Sequence, residues 1–142
     1  MAATAESSID TIETTVQKTN RWIDELSHEL GVSRHQGYRV LRAFLHTIRD
    51  RLVVDETAHL SAQLPMLVRG LYFEGWDPSK TPVKMKGEEF IEIFAARAIL
   101  PDDLTPEVAL KTSAQVMRRH VTEGEVEDVL HMLPAEVRRL LG

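Results

Sequence analysis

One stretch of this chain occurs twice. Leu64-Pro65, followed by Val68, Arg69 and Leu71, returns 69 residues later as Leu133-Pro134, followed by Val137, Arg138 and Leu140. At the same offset Arg49 falls on Arg118 and Glu56 on Glu125, so that seven of the 23 positions from 49 to 71 are identical to those from 118 to 140. Leu52/Val121 and Leu60/Val129 are apolar in both copies. A repeated unit of this kind shows one apolar face that it cannot bury alone, so neighbouring copies bury it together. The expected architecture is two similar halves of about 70 residues, packed on each other about a pseudo-twofold axis.

Within each half the apolar spacing is helical. Ile9, Ile12, Val16, Thr19, Ile23, Leu26 and Leu30 follow a heptad with Trp22 beside it, which predicts one helix from about Ser8 to Leu30. Ser7 or Ser8 is suited to cap it and Gly31 to stop it. A second helix, about Ser33 to Leu52, sends Gly37, Tyr38, Leu41, Phe44, Leu45, Ile48 and Leu52 to one side. Arg39, Arg42, His46, Arg49 and Asp50 go to the other. Asp55 is placed to cap a short third helix, and Pro65 ends it and opens a fourth. The stretch from Gly75 to Gly87, rich in glycine, proline and lysine, reads as a linker tacked down by Trp76.

The helical order then restarts. Glu88 to Leu100 carries Phe90, Ile91, Phe94 and Ile99; Thr105-Pro106 opens the next helix; Thr122-x-x-Glu125 has the form of a capping box; and Pro134 opens the last helix. No segment alternates as a half-buried strand does. The fold class read from the sequence is all-α: a helical domain over 14–142, made of a repeat 14–74, a linker 75–87 and a repeat 88–142. Residues 1–13 are expected to be a helical extension or a disordered lead.

Composition narrows the function classes. The chain has no cysteine, which removes thiol nucleophiles, disulfides and thiolate metal sites and fits a reducing cytoplasm. Its N-terminus lacks the basic region and apolar core of a secretory signal. A formal charge of −5 argues against broad electrostatic binding to nucleic acid. There is no Gly-x-Ser-x-Gly, phosphate loop or His-Glu-x-x-His, so no catalytic residue and no cofactor is expected.

The stretch LRAFLHTIRDRLVVDETAHLSAQLPMLVRGLYFEGWDPSKTPVK, Leu41 to Lys84, resembles the bacterial domain-of-unknown-function family 2267, with QLPMLVRGLYFEGWDP the most specific run. The closing HVTEGEVEDVLHMLPAEVRRLL and the early TTVQKTNRWIDELSHELG extend that resemblance over nearly the whole chain, leaving out residues before about Thr14. It implies a small, helical, internally duplicated protein, and it transfers no catalytic or ligand-binding residue.

Three constellations carry chemistry. Glu25-x-x-His28, Glu56-x-x-His59 and Asp128-x-x-His131 have the spacing of carboxylate–histidine metal ligands. Each histidine points away from its own helix's apolar face, so no metal site is expected. Glu56, Arg69, Glu125 and Arg138 are polar positions kept in both copies. They are expected to be structural, the glutamate capping a short helix and the arginine fixing the angle of the next, so that Glu56→Gln should lower stability. Arg39, Arg42, His46 and Arg49 form a basic stripe, a candidate face for an anion or an acidic partner. The function expected from the sequence is a non-catalytic interaction or scaffolding module. It binds a protein partner or itself, with Ile9, Ile12 and Val16 as the dimer contact and the aromatic run Tyr72, Phe73 and Trp76 exposed. The alternative is a nucleic-acid-associated regulator using the basic stripe.

Overall fold

The computed structural model describes residues 9–142, and every regular element among them is helical. In chain order these are α1 (Asp10–Leu30), α2 (Arg34–Arg51), α3 (Val54–Ser61), α4 (Met66–Phe73), a 3-10 turn (Pro78–Lys80), α5 (Gly87–Ala98), α6 (Pro106–His120), α7 (Glu123–Met132) and α8 (Ala135–Leu141). None is long and apolar enough to cross a membrane. The repeat is legible in the helix starts: α3 and α7 begin at Val54 and Glu123, and α4 and α8 at Met66 and Ala135, both 69 residues apart.

α1 runs unbroken from Asp10 to Leu30, through the boundary expected near residue 13. Its N-cap is Ile9, whose side chain makes no capping bond; the expected caps Ser7 and Ser8 lie outside the described residues. Gly31 ends the helix in the left-handed conformation, φ 66°, as expected. α5 ends the same way at Ile99, φ 51°, without a glycine. The helix expected to run on to Leu100 therefore stops at Ala98, and Ile99 is its C-terminal cap, 65% exposed. A β-branched residue is strained in that conformation. Ile99→Gly should accordingly raise stability by about 0.5–1 kcal/mol, read as a higher thermal midpoint.

α2 sits at the centre, packed by α1, α4, α5 and α6. Gly37 lets α1 approach, since a Cβ there would overlap the Ser27 side chain. Enclosure by four helices overturns the two-sided reading of α2. Arg49 and His46, assigned to the solvent side, are buried, whereas Tyr38, assigned to the core side, is exposed. Trp22 and Leu26 of α1, Phe44 and Ile48 of α2, Phe90 and Phe94 of α5, and Val137 of α8 join one continuous core.

The linker is held as Trp76 foretold, its ring 5.2 Å from that of Phe73, with Met85 buried beyond it. The aromatic run is not exposed, however. Tyr72 is fully buried and donates its hydroxyl to Thr57 O at 3.1 Å, while Phe73 and Trp76 are half-buried.

Candidate functional site

The basic stripe of α2 does not form an open face. Arg42 is tied to Glu74, with Nη2 2.6 Å from Oε1. Arg49 donates from Nη1 to Tyr72 O (2.9 Å) and Glu74 O (2.7 Å), and from Nη2 to Asp50 Oδ1 (2.8 Å). His46 Nε2 meets Leu71 O at 2.7 Å. Burial lowers the His46 pKa, opposed by that carbonyl and helped by the Arg49, Arg42 and Arg97 guanidiniums, so the ring is neutral and its Nε2–H donates. Arg39 is half-buried. Two of the four predicted anion ligands, His46 and Arg49, thus hold the end of α4 instead, because the carbonyls that close α4 lie against α2.

The repeated Glu and Arg positions also separate. Arg69 donates to Ser61 O (2.9 Å) and Leu64 O (3.2 Å); Arg138 donates to Leu130 O (3.0 Å) and Leu133 O (3.2 Å). Each arginine satisfies carbonyls at the end of the preceding short helix, at positions again 69 residues apart. The glutamates are not their partners.

Nor do the glutamates cap helices. α3 is capped by Val53, with Asp55 inside its first turn, and no side chain accepts from its free N–H groups. At α7 the expected capping box is replaced by Gln63. This residue accepts from Thr122 N at 2.8 Å and donates to Thr122 Oγ1 at 3.0 Å. With Thr122 engaged by the other half, the Glu125 side chain turns inward.

What it meets is Glu56. α3 packs on α7, and a ligand atom from each of Glu56, His59 and Glu125 lies within 4.8 Å of the others. Glu56 is 6% and Glu125 8% exposed, and the Oε2 of each is buried without a hydrogen-bond partner among the described residues. His59, one turn beyond Glu56, is exposed and forms the outer side of the cluster. Asp128, one turn beyond Glu125, occupies the position equivalent to His59 in the other copy. Burial, the facing Glu56 and then Asp128 push the Glu125 carboxyl up to about 8. Two carboxylates so close resist being ionised together without a cation, so below about pH 8 the protein alone holds a proton between them. Burial also pushes the nearby Tyr72 phenol up, with Glu56 and Glu125 adding to the effect.

Spacing along one helix does not reveal this cluster, because its donors come from two helices 69 residues apart in sequence. The signal was available, since Glu56 and Glu125 are the acidic identity between the copies. The other two carboxylate–histidine pairs do not assemble. Glu25 turns from His28 to Arg119 and His120 of α6, with His120 Nε2 at 3.2 Å and stacked on Trp22 at 4.8 Å. His131 is exposed and outside the cluster.

A second feature lies at the start of α1. Ile9, Ile12 and Val16 stand exposed on α1, and Met66 and Leu67 are exposed on α4. Thr15 joins the two helices by accepting from Leu67 N at 3.0 Å. A cleft of about 420 Å³, lined by Thr11, Thr14, Lys18, Met66 and Arg69 among others, runs along this junction.

The profile of the family described as "uncharacterized conserved protein (DUF2267)" matches residues 19–140. The chain belongs to this family. The match leaves Ile9, Ile12 and Val16 before the family region, and both clustered glutamates within it. No curated protein is detectably similar to the chain.

Proposed function

We propose that this protein is a non-catalytic helical interaction module, whose first turns pair with a helix of a protein partner, a second copy of the chain being the simplest. The observation that supports this is the apolar strip at the start of α1. Ile9 is 64% exposed, and Ile12 and Val16 continue at helical spacing, both exposed. Large apolar side chains grouped on one surface favour association, because covering them releases ordered water. The same heptad continues into the core as Ile23, Leu26 and Leu30, so the strip is an extension of a packing face already used once. The reading takes the two halves as copies about a pseudo-twofold axis, supported by the 69-residue spacing of the helix starts. It places the role in the cytoplasm, where a chain without cysteine is indifferent to the reducing milieu.

The nucleic-acid alternative has less support: His46 and Arg49 are buried and Arg42 is paired with Glu74. Light scattering after gel filtration tests the proposal. The wild type should rise from 16.1 kDa toward twice that mass with concentration, whereas Ile12→Glu with Val16→Glu should stay at 16.1 kDa. A wild type that remains monomeric and captures the same proteins from extract as the double variant would end the reading.

A further inference from the structure

We propose that Glu56, His59 and Glu125 bind one divalent transition-metal cation at the seam between α3 and α7. The geometry carries the inference. Three donor groups from two helices converge within 4.8 Å of one another. Two of the residues are more than nine-tenths buried and each directs an unpartnered carboxylate oxygen into the cluster. An orphaned buried carboxylate oxygen is costly, and two facing each other are costlier still, unless positive charge lies between them. Among the described residues, no lysine or arginine pairs with either carboxylate. The nearby buried guanidinium, Arg49, is committed to Tyr72 O, Glu74 O and Asp50. A divalent ion would neutralise both carboxylates and satisfy both orphaned oxygens at once.

The donor set fixes the class of ion. One imidazole nitrogen with two carboxylates suits zinc, manganese or ferrous iron, whereas calcium and magnesium prefer oxygen throughout. Ligand bonds of about 2.0–2.2 Å would place the donors roughly 3–4 Å apart, so small side-chain rotations close the present spacing. His59 is exposed, which leaves its ring free to rotate and gives the ion a route from solvent. Asp128, at the mouth, or water would complete the coordination.

The site is tested by titrating the chelator-treated full chain with zinc chloride and with manganese chloride in a calorimeter, followed by thermal melts. One equivalent of at least one ion should bind and raise the melting temperature. Affinity should fall more than about tenfold in both His59→Ala and Glu125→Gln, and stay unchanged in His131→Ala, a histidine on α7 outside the cluster. Glu125→Gln replaces one carboxyl of the buried pair by a neutral group of the same shape and should fold at least as well as the wild type, so lost binding there cannot be put down to unfolding. The proposal is overturned if neither ion binds saturably at one equivalent, or if that binding survives both cluster substitutions.

Discussion

Replacing Arg49 by methionine is expected to lower folding stability by about 3–5 kcal/mol, the range for removing one member of a buried ion pair. Arg49 is buried and its guanidinium does three things. It satisfies Tyr72 O and Glu74 O, carbonyls at the end of α4 with no helical partner; it neutralises half-buried Asp50; and through Asp50 it joins α5, whose Arg97 Nη2 lies 2.9 Å from Asp50 Oδ2. Methionine fills much of the space and returns none of those bonds. One buried carbonyl, one partly buried carbonyl and part of a carboxylate are left without donors. The internal control is Arg118, the same residue in the other copy. It is half-buried, and its Nε has no hydrogen-bond partner among the described residues. Arg118→Met should change stability by no more than about 0.5 kcal/mol. Equilibrium denaturation of the two variants measures the contrast, and equal losses would refute the assigned network.

Glu125→Gln is expected to do the reverse and stabilise the metal-free protein, by roughly 1–3 kcal/mol above neutral pH. In the unfolded chain the carboxyl titrates near 4.5, whereas in the fold it is raised to about 8. The folded protein therefore holds a proton that the unfolded chain has released. That contribution is complete below about pH 4.5 and is lost as pH rises through about 8. Chelator-treated wild type should lose stability across this window, and the variant should lose much less. The glutamine also offers an N–H₂ group to the Glu56 carboxylate. Had Glu56 and Glu125 served as helix caps, as the repeat led one to expect, substitution by glutamine would destabilise instead. Melting curves over that pH range decide between the two, because the predicted signs are opposite.

The contrast between Arg49 and Arg118, and the cross-helix meeting of Glu56 and Glu125, mark where the sequence stops being informative. Helix starts at Val54, Met66, Glu123 and Ala135, the stop at Gly31 and the turn after Gly75 all follow from local chemistry. Proline sets a backbone angle, glycine permits a left-handed one, and apolar spacing names a face. Even the role of Arg69 and Arg138 was close to legible, since each reaches only eight residues or fewer along the chain. His46, Arg49, Tyr38 and Ile99 lie where periodicity alone misplaces them. Periodicity divides a helix into two sides, but α2 has neighbours on four, and a helix end has a conformation of its own.

The sequence by itself therefore determined the all-α class, the order of the short helices and the repeat, because each depends on residues within a turn or two of one another. Only the tertiary structure decided which charged groups are buried and what faces them. Gln63 takes the cap of α7 from 59 residues away, and the glutamates of two copies meet across a seam that no local spacing encodes. Electrostatic cost depends on distance and exclusion of water in three dimensions, and the chain acquires both only when its two halves pack together.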